Sequence, residues 1–315
     1  MILLLGDLDL HLRGRTHREP AVPHVAVAWG RDLARAVDHA AARADCMGVA
    51  VIGPRAGAAA PELSALAGRR LLVVDSDRAR MAAFAEAGLE AGAEVESILH
   101  PDLPLDRVAA WALPVAAVVL AAGSSSRMGT NKLLLDLDGR PLVAHVLEAA
   151  RKGGCHPIVG VWSDPAVGTA LEGGQGGEGG ATLVHNPEAA SGIASSLRSG
   201  LAALPPWVAG AMVLLGDQPL VGSATVASLL QRWRAGDARP AAATAHAGRW
   251  VPPILIDRSL WPELAGLTGD EGARQVLGAR PELVDVVAGS GSPDDVDTPD
   301  DYARVVRLSS RRNRA

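Results

Sequence analysis

One run of residues near the middle of the chain constrains the fold more than any other feature. Residues 114–120, PVAAVVL, have the length and the β-branched content of a buried parallel strand. The strand leads directly into small residues and then into a segment that carries Arg127 and Lys132. A loop of small residues at the carboxyl end of such a strand lets backbone N–H groups approach an anion closely, and the two basic side chains add positive charge. The run therefore predicts an α/β fold that binds a triphosphate.

The lysine in this loop is unusual because the chain has only two lysines, Lys132 and Lys152, against 28 arginines. A lysine kept here indicates a place where a compact ammonium group fits and a planar guanidinium does not. The alternative is a solvated lysine with no role, and in either case Lys132 is expected to be exposed. The spacing matches neither GxxxxGK[ST] nor GxGxxG, so a different phosphate-binding loop is predicted.

Downstream of the loop, apolar strand patterns alternate with helical ones. Strands are predicted at 158–162, 182–185 and 211–215, and helices at 141–152 and 191–204. This alternation predicts βαβ units and a mostly parallel, Rossmann-like sheet, with ligands at the carboxyl ends of its strands. The glycine-rich stretch 172–180 is predicted to be a surface loop, with a lid over the site as the alternative.

The first 113 residues also alternate between strand and helix patterns. Strands are predicted at 24–29, 48–52 and 70–74, and helices at 31–45 and 79–91. Prolines at 101, 104 and 114 indicate a linker. The expected organisation is therefore an α/β domain of unknown role at 1–113, a second α/β domain with the phosphate loop at 114–308 and a basic tail at 309–315.

Three aspartates have the placement of metal ligands. Asp217 follows the predicted strand 211–215 after a glycine, and Mg²⁺ typically takes one or two carboxylates together with phosphate oxygens and water. Asp217 is therefore a candidate magnesium ligand, with a turn aspartate as the alternative. Asp295 and Asp297 alternate along an extended segment, which places both on one face, and a metal or ligand role is predicted for them. The following residues, 298–301, are typical of a capped helix start.

Composition excludes several classes of function. The net charge of −5 argues against a broad nucleic-acid-binding surface. No run of 18 apolar residues predicts a membrane span, and the two cysteines, Cys46 and Cys155, form no CxxC pair. A cytoplasmic protein with no nucleic-acid or membrane partner is expected.

The loop resembles the N-terminal motif of the molybdenum cofactor nucleotidyltransferases, and most of all that of the cytidylyltransferases, LAAGxSxRMGxxKLL. Further motifs follow in the order of that family: HNP at 185–187 with SG at 191–192 and SSL at 195–197, LGDQPL at 215–220, LTGDEGAR at 267–274 and DVDTPDD at 295–301. The similarity covers roughly residues 114–308. One departure is the sequence VPP at 251–253, where the family usually has Gly-His-Pro, and the missing histidine bears on pterin recognition.

The resemblance implies Mg²⁺-dependent transfer of CMP from CTP to molybdopterin carrying molybdenum, with release of pyrophosphate. It also implies a molybdenum hydroxylase or its chaperone as a partner. The catalytic residues would be Arg127, Lys132 and Asp217, and the metal ligands would be Asp217, Asp295 and Asp297. Three groups of residues complete the expected site: nucleotide-binding Leu120, Ala121, Ala122, Gly123, Ser124, Ser126 and Gly129; nucleotide-binding Asn186, Ser191, Gly192 and Ser195; and substrate-binding Gly269, Asp270 and Arg274.

Other interpretations remain open on the sequence alone. Ser191 has the placement of a helix cap, and Arg274 that of an ordinary surface residue. Guanylyl transfer, or transfer to another phosphate or sugar-phosphate acceptor, is the enzymatic alternative. In guanylyl-transferring relatives asparagines stand at the positions of Asp295 and Asp297, and a second glycine stands at that of Ala122, which favours CTP here. A nucleotide-sensing chaperone that delivers the cofactor is the non-enzymatic alternative, and the set of Arg127, Lys132 and Asp217 argues against it.

Overall fold

The structure is a computed structural model, and it divides the chain into two compact units, Met1–Leu113 and Pro114–Ala315. The residues that it describes are 2–5, 26–29, 48–52, 63, 67, 70–75, 78–99, 114–123, 130–173, 181–205, 208–235, 239–246, 249–289 and 294–312. Among them, no helix is both long enough and apolar enough to cross a membrane.

The described part of the first unit contains a parallel sheet. Its strands are β1 (Ile2–Leu5), β2 (Ala26–Trp29), β3 (Gly48–Ile52), β4 (Arg70–Asp75) and β5 (Glu94–Leu99), in the order β2-β1-β3-β4-β5, and helix α1 (Arg78–Glu90) connects β4 to β5. This parallel arrangement agrees with the α/β prediction for the unit. Sequence analysis missed β1, because four apolar residues at the start of a chain have no flanking pattern. The predicted helix at 31–45 lies outside the described residues.

The second unit is built around a larger sheet. Its strands are β6 (Val115–Ala121), β7 (Asp136–Leu137), β8 (Arg140–Pro141), β9 (Ile158–Trp162), β10 (Thr182–His185), β11 (Gly210–Leu215), β12 (Ala241–His246), β13 (Arg249–Asp257) and β14 (Val284–Ala288). Its helices are α2 (Leu142–Lys152), α3 (Pro165–Gly173), α4 (Ile193–Ala202), α5 (Ser223–Ala235), α6 (Trp261–Ala265), α7 (Ala273–Gly278) and α8 (Pro299–Arg312). Strands β7 and β8 form a separate hairpin.

The order of the large sheet is β10-β9-β6-β11-β13-β12-β14. The four strands β10, β9, β6 and β11 are mutually parallel, whereas β13 runs antiparallel to both β11 and β12. Strand β6 is central and every one of its residues is buried, which explains its continuous apolar sequence. The carboxyl ends of these four parallel strands lie at one edge of the sheet, where α/β proteins bind ligands.

Two helix starts show how far local sequence rules hold. Helix α8 begins as predicted, because the Thr298 hydroxyl accepts a hydrogen bond from the Asp301 backbone N–H at 3.2 Å and the Asp301 carboxylate accepts one from the Thr298 backbone N–H at 2.9 Å. This helix continues to Arg312, so residues 309–312, which the sequence assigned to a basic tail, are helical. Helix α4 begins at Ile193 rather than at residue 191, because Gly192 has a φ of +111° that no helix accommodates.

Candidate active site

The predicted phosphate loop begins where β6 ends. Leu120, Ala121 and Ala122 are buried, and Gly123 is exposed. Ser124, Ser126, Arg127 and Gly129 lie outside the described residues, so their predicted roles stay predictions. The description resumes at Thr130, just before the lysine.

Lys132 is held between two carboxylates. Its Nζ atom lies 2.7 Å from Asp217 Oδ2 and 2.6 Å from Asp297 Oδ1. Its side chain is only 11% exposed, so the expectation of an exposed loop lysine is wrong. Residues 85 and 165 positions away in the sequence supply the two carboxylates. The structure therefore brings together three of the residues that the sequence analysis singled out.

The position of Asp217 follows from the pairing of β11 with β6. Leu215 lies opposite Leu120, and the next backbone N–H, that of Gly216, donates to the Leu120 carbonyl oxygen at 2.9 Å. A Cβ atom on Gly216 would come within 3.2 Å of that oxygen, so a glycine allows the chain to leave the strand tightly. Asp217 Oδ1 is buried and has no hydrogen-bond partner within the described part of the chain.

The segment with Asp295 and Asp297 is hydrogen-bonded to the turn after β11. The backbone N–H of Val296 donates to the Asp217 carbonyl oxygen at 3.1 Å, and Gln218 Nε2 donates to Asp295 Oδ1 at 2.6 Å. Val296 is fully buried in a small apolar cluster with Leu137, Leu142, Leu220 and Val305. With Val296 packed inward, the residues on either side of it point outward together. Sequence analysis did not identify Gln218, although it lies next to Asp217.

Among the described residues at this edge, negative charges outnumber positive ones. Burial alone would lower the pKa of Lys132, but the carboxylates of Asp217 and Asp297 outweigh that effect and raise it above its usual value. The pKa of Asp295 is also raised, first because part of its environment excludes water and second because Asp217 repels a further negative charge. Within the described ranges, the Lys132 ammonium group thus contacts two carboxylates and lowers the electrostatic cost of a third, that of Asp295.

These residues fit a divalent cation. Asp217 and Asp297 already converge on a single cationic atom, and Asp217 has a second buried oxygen without a hydrogen-bond partner in the described ranges. No group of three or more His, Cys, Asp or Glu side chains with the geometry of a metal site occurs among the described residues. Mg²⁺ usually keeps several waters and phosphate oxygens, so two carboxylates are sufficient protein ligands.

The second predicted nucleotide-binding stretch is partly structural. Asn186 is buried, and its Nδ2 atom donates to the hydroxyl oxygens of Ser195 and Ser196 at 2.9 Å each. The Ser191 hydroxyl donates to the Glu188 carbonyl oxygen at 2.7 Å, and the helix cap is Gly192, which has no side chain. The interpretation of Ser191 as a side-chain cap is therefore wrong. Asn186 and Ser195 stabilise the entry to α4 from within.

This stretch touches the predicted substrate loop. The backbone N–H of Ala194 donates to the Gly269 carbonyl oxygen at 3.1 Å, and a Cβ atom on Gly192 would lie only 2.1 Å from that oxygen. Asp270 and Arg274 are exposed nearby in sequence, at and just after the same turn. The two motifs that contain Gly192 and Gly269 are far apart in the sequence and are in direct contact in the structure.

The fold and this edge define the class of the molecule: an α/β protein of the nucleotidyltransferase type. Residues 117–285 match the family described as the MobA-like NTP transferase domain. The chain belongs to this family.

Individual proteins that are similar to this chain support the family assignment. The purine catabolism protein PucB of Bacillus subtilis strain 168 is 32% identical over 213 residues, which are 61% of this chain and 96% of that protein. The crystal structure of Rv0371c from Mycobacterium tuberculosis H37Rv is 31% identical with a TM-score of 0.53, covering 62% of this chain and 98% of that one. The structure of the same mycobacterial protein in complex with manganese is 28% identical with a TM-score of 0.51, covering 62% and 98%. The predicted Rossmann-like fold is confirmed, and the predicted family is confirmed at the level of NTP transferases.

Proposed function

We propose that the protein transfers CMP from CTP to molybdopterin carrying molybdenum, with Mg²⁺, and releases pyrophosphate. The observation that carries this proposal is the placement of Lys132 Nζ between Asp217 and Asp297, at the carboxyl edge of the parallel strands in a member of an NTP transferase family. Such an arrangement combines a phosphate-binding cation with metal-binding carboxylates.

The choice of CTP and of the acceptor rests on the motifs. The LAAGxSxRMGxxKLL pattern and the acidic Asp295/Asp297 pair are those of the cytidylyltransferases. The relative PucB carries a name from purine catabolism, and the manganese complex of Rv0371c supports a divalent metal. A molybdenum hydroxylase or its chaperone would receive the product.

The reaction needs positioning and charge neutralisation more than covalent catalysis. An oxygen of the acceptor's terminal phosphate forms a bond to the α-phosphorus of CTP, and the bond from that phosphorus to the β-bridging oxygen breaks. Pyrophosphate leaves with the electron pair, so negative charge accumulates on it. Lys132, with Arg127 as predicted from the loop, neutralises that charge. A Mg²⁺ ion held by Asp217 and Asp297 would stabilise the phosphate charges as a Lewis acid.

Pyrophosphate release tests the proposal. We expect the purified protein to release pyrophosphate from CTP only when the molybdenum cofactor and a divalent metal are present, and to lose this activity with EDTA. The kcat/KM for CTP should exceed that for GTP at least tenfold, which is roughly 1.4 kcal/mol of differential transition-state binding. Equal values or a preference for GTP would overturn the cytidylyl assignment, and no release with any acceptor would overturn the transferase assignment.

Ala122 offers a variant that probes nucleotide choice. The residue is 4% exposed and packs in the buried apolar core just after β6, and a glycine stands at its position in guanylyl-transferring relatives. Ala122→Gly should narrow the ratio of the two kcat/KM values rather than widen it.

A further inference from the structure

We propose that Ser163 and Asp164, the two residues after β9, are positioning residues for nucleotide binding. They contact the two ends of the predicted phosphate loop: Ser163 bonds to the backbone of Ala122, and Asp164 bonds to the side chain of Asn131. The inference rests on the proposed binding of a nucleoside triphosphate at this edge. Neither residue belongs to a sequence motif with a predicted role.

Ser163 holds the start of the loop. Strands β6 and β9 are parallel neighbours with Ala121 opposite Trp162, so the residues that follow them leave the sheet side by side. The Ser163 hydroxyl donates to the Ala122 carbonyl oxygen at 2.9 Å. This hydrogen bond continues the connection of the two strands one residue beyond their paired segments.

Asp164 holds the end of the loop. Asn131 Nδ2 donates to Asp164 Oδ2 at 2.8 Å, while Asp164 Oδ1 accepts from the Ala166 backbone N–H at 2.9 Å and caps α3. The hydrogen bond from Asn131 is the main reason that the pKa of Asp164 is lowered. One carboxylate thereby joins a helix start to the residue that precedes Lys132.

The contact between Asp164 and Asn131 fixes the position of the Lys132 backbone. Asn131 Oδ1 accepts from the Leu133 backbone N–H at 3.1 Å and caps the short 3₁₀ turn Lys132–Leu134. Leu133 is buried, so this turn is anchored on one side by packing and on the other by Asn131. A shift of Asn131 therefore shifts the backbone of Lys132, whose Nζ atom must reach both Asp217 and the phosphates.

The end of β9 also holds a third segment. The backbone N–H of Asn186, the first residue after β10, donates to the Trp162 carbonyl oxygen at 2.7 Å. Residues 162–164 thus contact both ends of the predicted phosphate loop and Asn186, which begins the second predicted nucleotide-binding stretch. Placement errors of about 1 Å in such sites cost on the order of a hundredfold in rate, whereas a single partly buried hydrogen bond makes only a modest contribution to overall stability.

The substitution Asp164→Asn separates positioning from stability. The asparagine keeps an oxygen that can accept from Ala166 and cap α3, but its NH₂ group then faces the NH₂ group of Asn131. We expect the dissociation constants for Mg·CTP and Mg·GTP, measured by calorimetry, to rise about tenfold or more. Thr169→Val is the matched control, because it removes a hydrogen bond to the Pro165 carbonyl oxygen on the same helix and keeps the hydrogen bonds of Ser163 and Asp164. That control should bind nucleotide like the unmodified protein.

A double variant that exchanges the residue types at positions 131 and 164 tests their contact directly. In the double variant Asn131→Asp/Asp164→Asn, the asparagine at 164 can donate to the aspartate at 131, which still caps the 3₁₀ turn. We expect this double variant to bind nucleotide more tightly than either single variant, and such non-additive recovery does not follow from a general loss of stability. Ser163→Ala should weaken binding in the same direction, and Ser163→Thr should restore it.

The outcomes discriminate between this inference and the proposed function. If the unmodified protein binds nucleotide and Asp164→Asn matches the Thr169→Val control, the positioning role is wrong and the proposed function stands. If binding weakens and recovers as expected but no cofactor is cytidylylated, the positioning role stands and the proposed acceptor is wrong. Absence of nucleotide binding by the unmodified protein overturns both.

Discussion

At the scale of single residues, the ammonium group of Lys132 is the centre of the candidate site. It lies within 2.7 Å of Asp217 Oδ2 and within 2.6 Å of Asp297 Oδ1, in a pocket where its side chain is only 11% exposed. A guanidinium group is wider, and its donor nitrogens lie apart in one plane. It therefore cannot place a single nitrogen atom in contact with both carboxylates, as the ammonium group does. This geometry gives a physical reason for a lysine in a chain that otherwise uses arginine.

We predict that Lys132→Ala lowers kcat about a hundredfold or more, since a positive charge aimed at the departing pyrophosphate is lost, and that it also lowers Tm, because Asp217 and Asp297 lose the cation between them. Lys132→Arg should also be strongly impaired. The measurement is kcat from pyrophosphate release, with circular dichroism to verify folding. Near-normal activity of the arginine variant would contradict the argument from the compact ammonium group.

A second residue-scale prediction concerns Asp295. Its pKa is raised by burial and by the charge of Asp217, so at neutral pH its ionised form opposes folding. The contribution of this group to stability is largest below the unfolded pKa near 3.8 and is lost as the pH rises through the higher folded value. Because Asp295 is also solvent-exposed, water screens much of this effect, so Asp295→Asn, which keeps an oxygen for Gln218, should raise Tm at pH 7 by no more than about 1 °C while lowering metal-dependent activity.

The stabilisation by Asp295→Asn should disappear below about pH 3, where both forms are neutral. Asp300→Asn serves as the control, because Asp300 is an exposed carboxylate in the first turn of α8, where a negative charge favours the helix. That control should not raise Tm. A lower Tm for Asp295→Asn at pH 7 would mean that the carboxylate stabilises the segment.

At the scale of elements, two loops meet through a pair of glycines. Gly192 precedes α4 with a φ of +111°, and Gly269 lies in the predicted substrate loop with a φ of +56°. A Cβ atom at Gly192 would lie 2.1 Å from the Gly269 carbonyl oxygen, closer than any van der Waals contact. The loop predicted to bind nucleotide and the loop predicted to bind substrate are therefore in direct contact.

We predict that Gly192→Ala destabilises the protein by about 2 kcal/mol or more, because both the backbone conformation and the close contact forbid a side chain. Nucleotide affinity should fall at the same time. Gly278→Ala, at the end of α7, is the matched control, since its Cβ atom would meet nothing within 4 Å. Thermal unfolding of both variants measures the difference, and equal Tm values would show that the loops can separate without cost.

At the scale of the whole molecule, the recognisable motifs all lie in the second unit. The family match spans residues 117–285, and the contacts of Lys132 with Asp217 and Asp297 join residues of that unit alone. We predict that a chain beginning at Leu113 folds and retains measurable transferase activity with CTP and cofactor. Circular dichroism and pyrophosphate release provide the measurements. A folded but inactive shortened chain would mean that the first unit contributes to the site.

Much of the fold could be predicted from short-range patterns. The strand at 115–121, the helix at 142–152 and the capped start of α8 follow from apolar runs, helical periodicity and a Thr–Asp box, all of which act within a few residues. The first strand, Ile2–Leu5, was missed because its partners β2 and β3 lie more than twenty residues away and leave no local mark.

The candidate site, like the fold, could be predicted from the sequence only in part. By itself, the sequence determined the residue types: a small-residue loop with a rare lysine, an aspartate after a strand, and an acidic pair alternating around a valine. Only the tertiary structure decided that Lys132 pairs with both Asp217 and Asp297, that Asn186 and Ser195 are buried in a hydrogen-bond network, and that Ser163 and Asp164 hold the ends of the loop. These contacts join residues up to 165 positions apart. They depend on which strands become neighbours in the sheet, and burial of apolar surface across the whole unit decides that order.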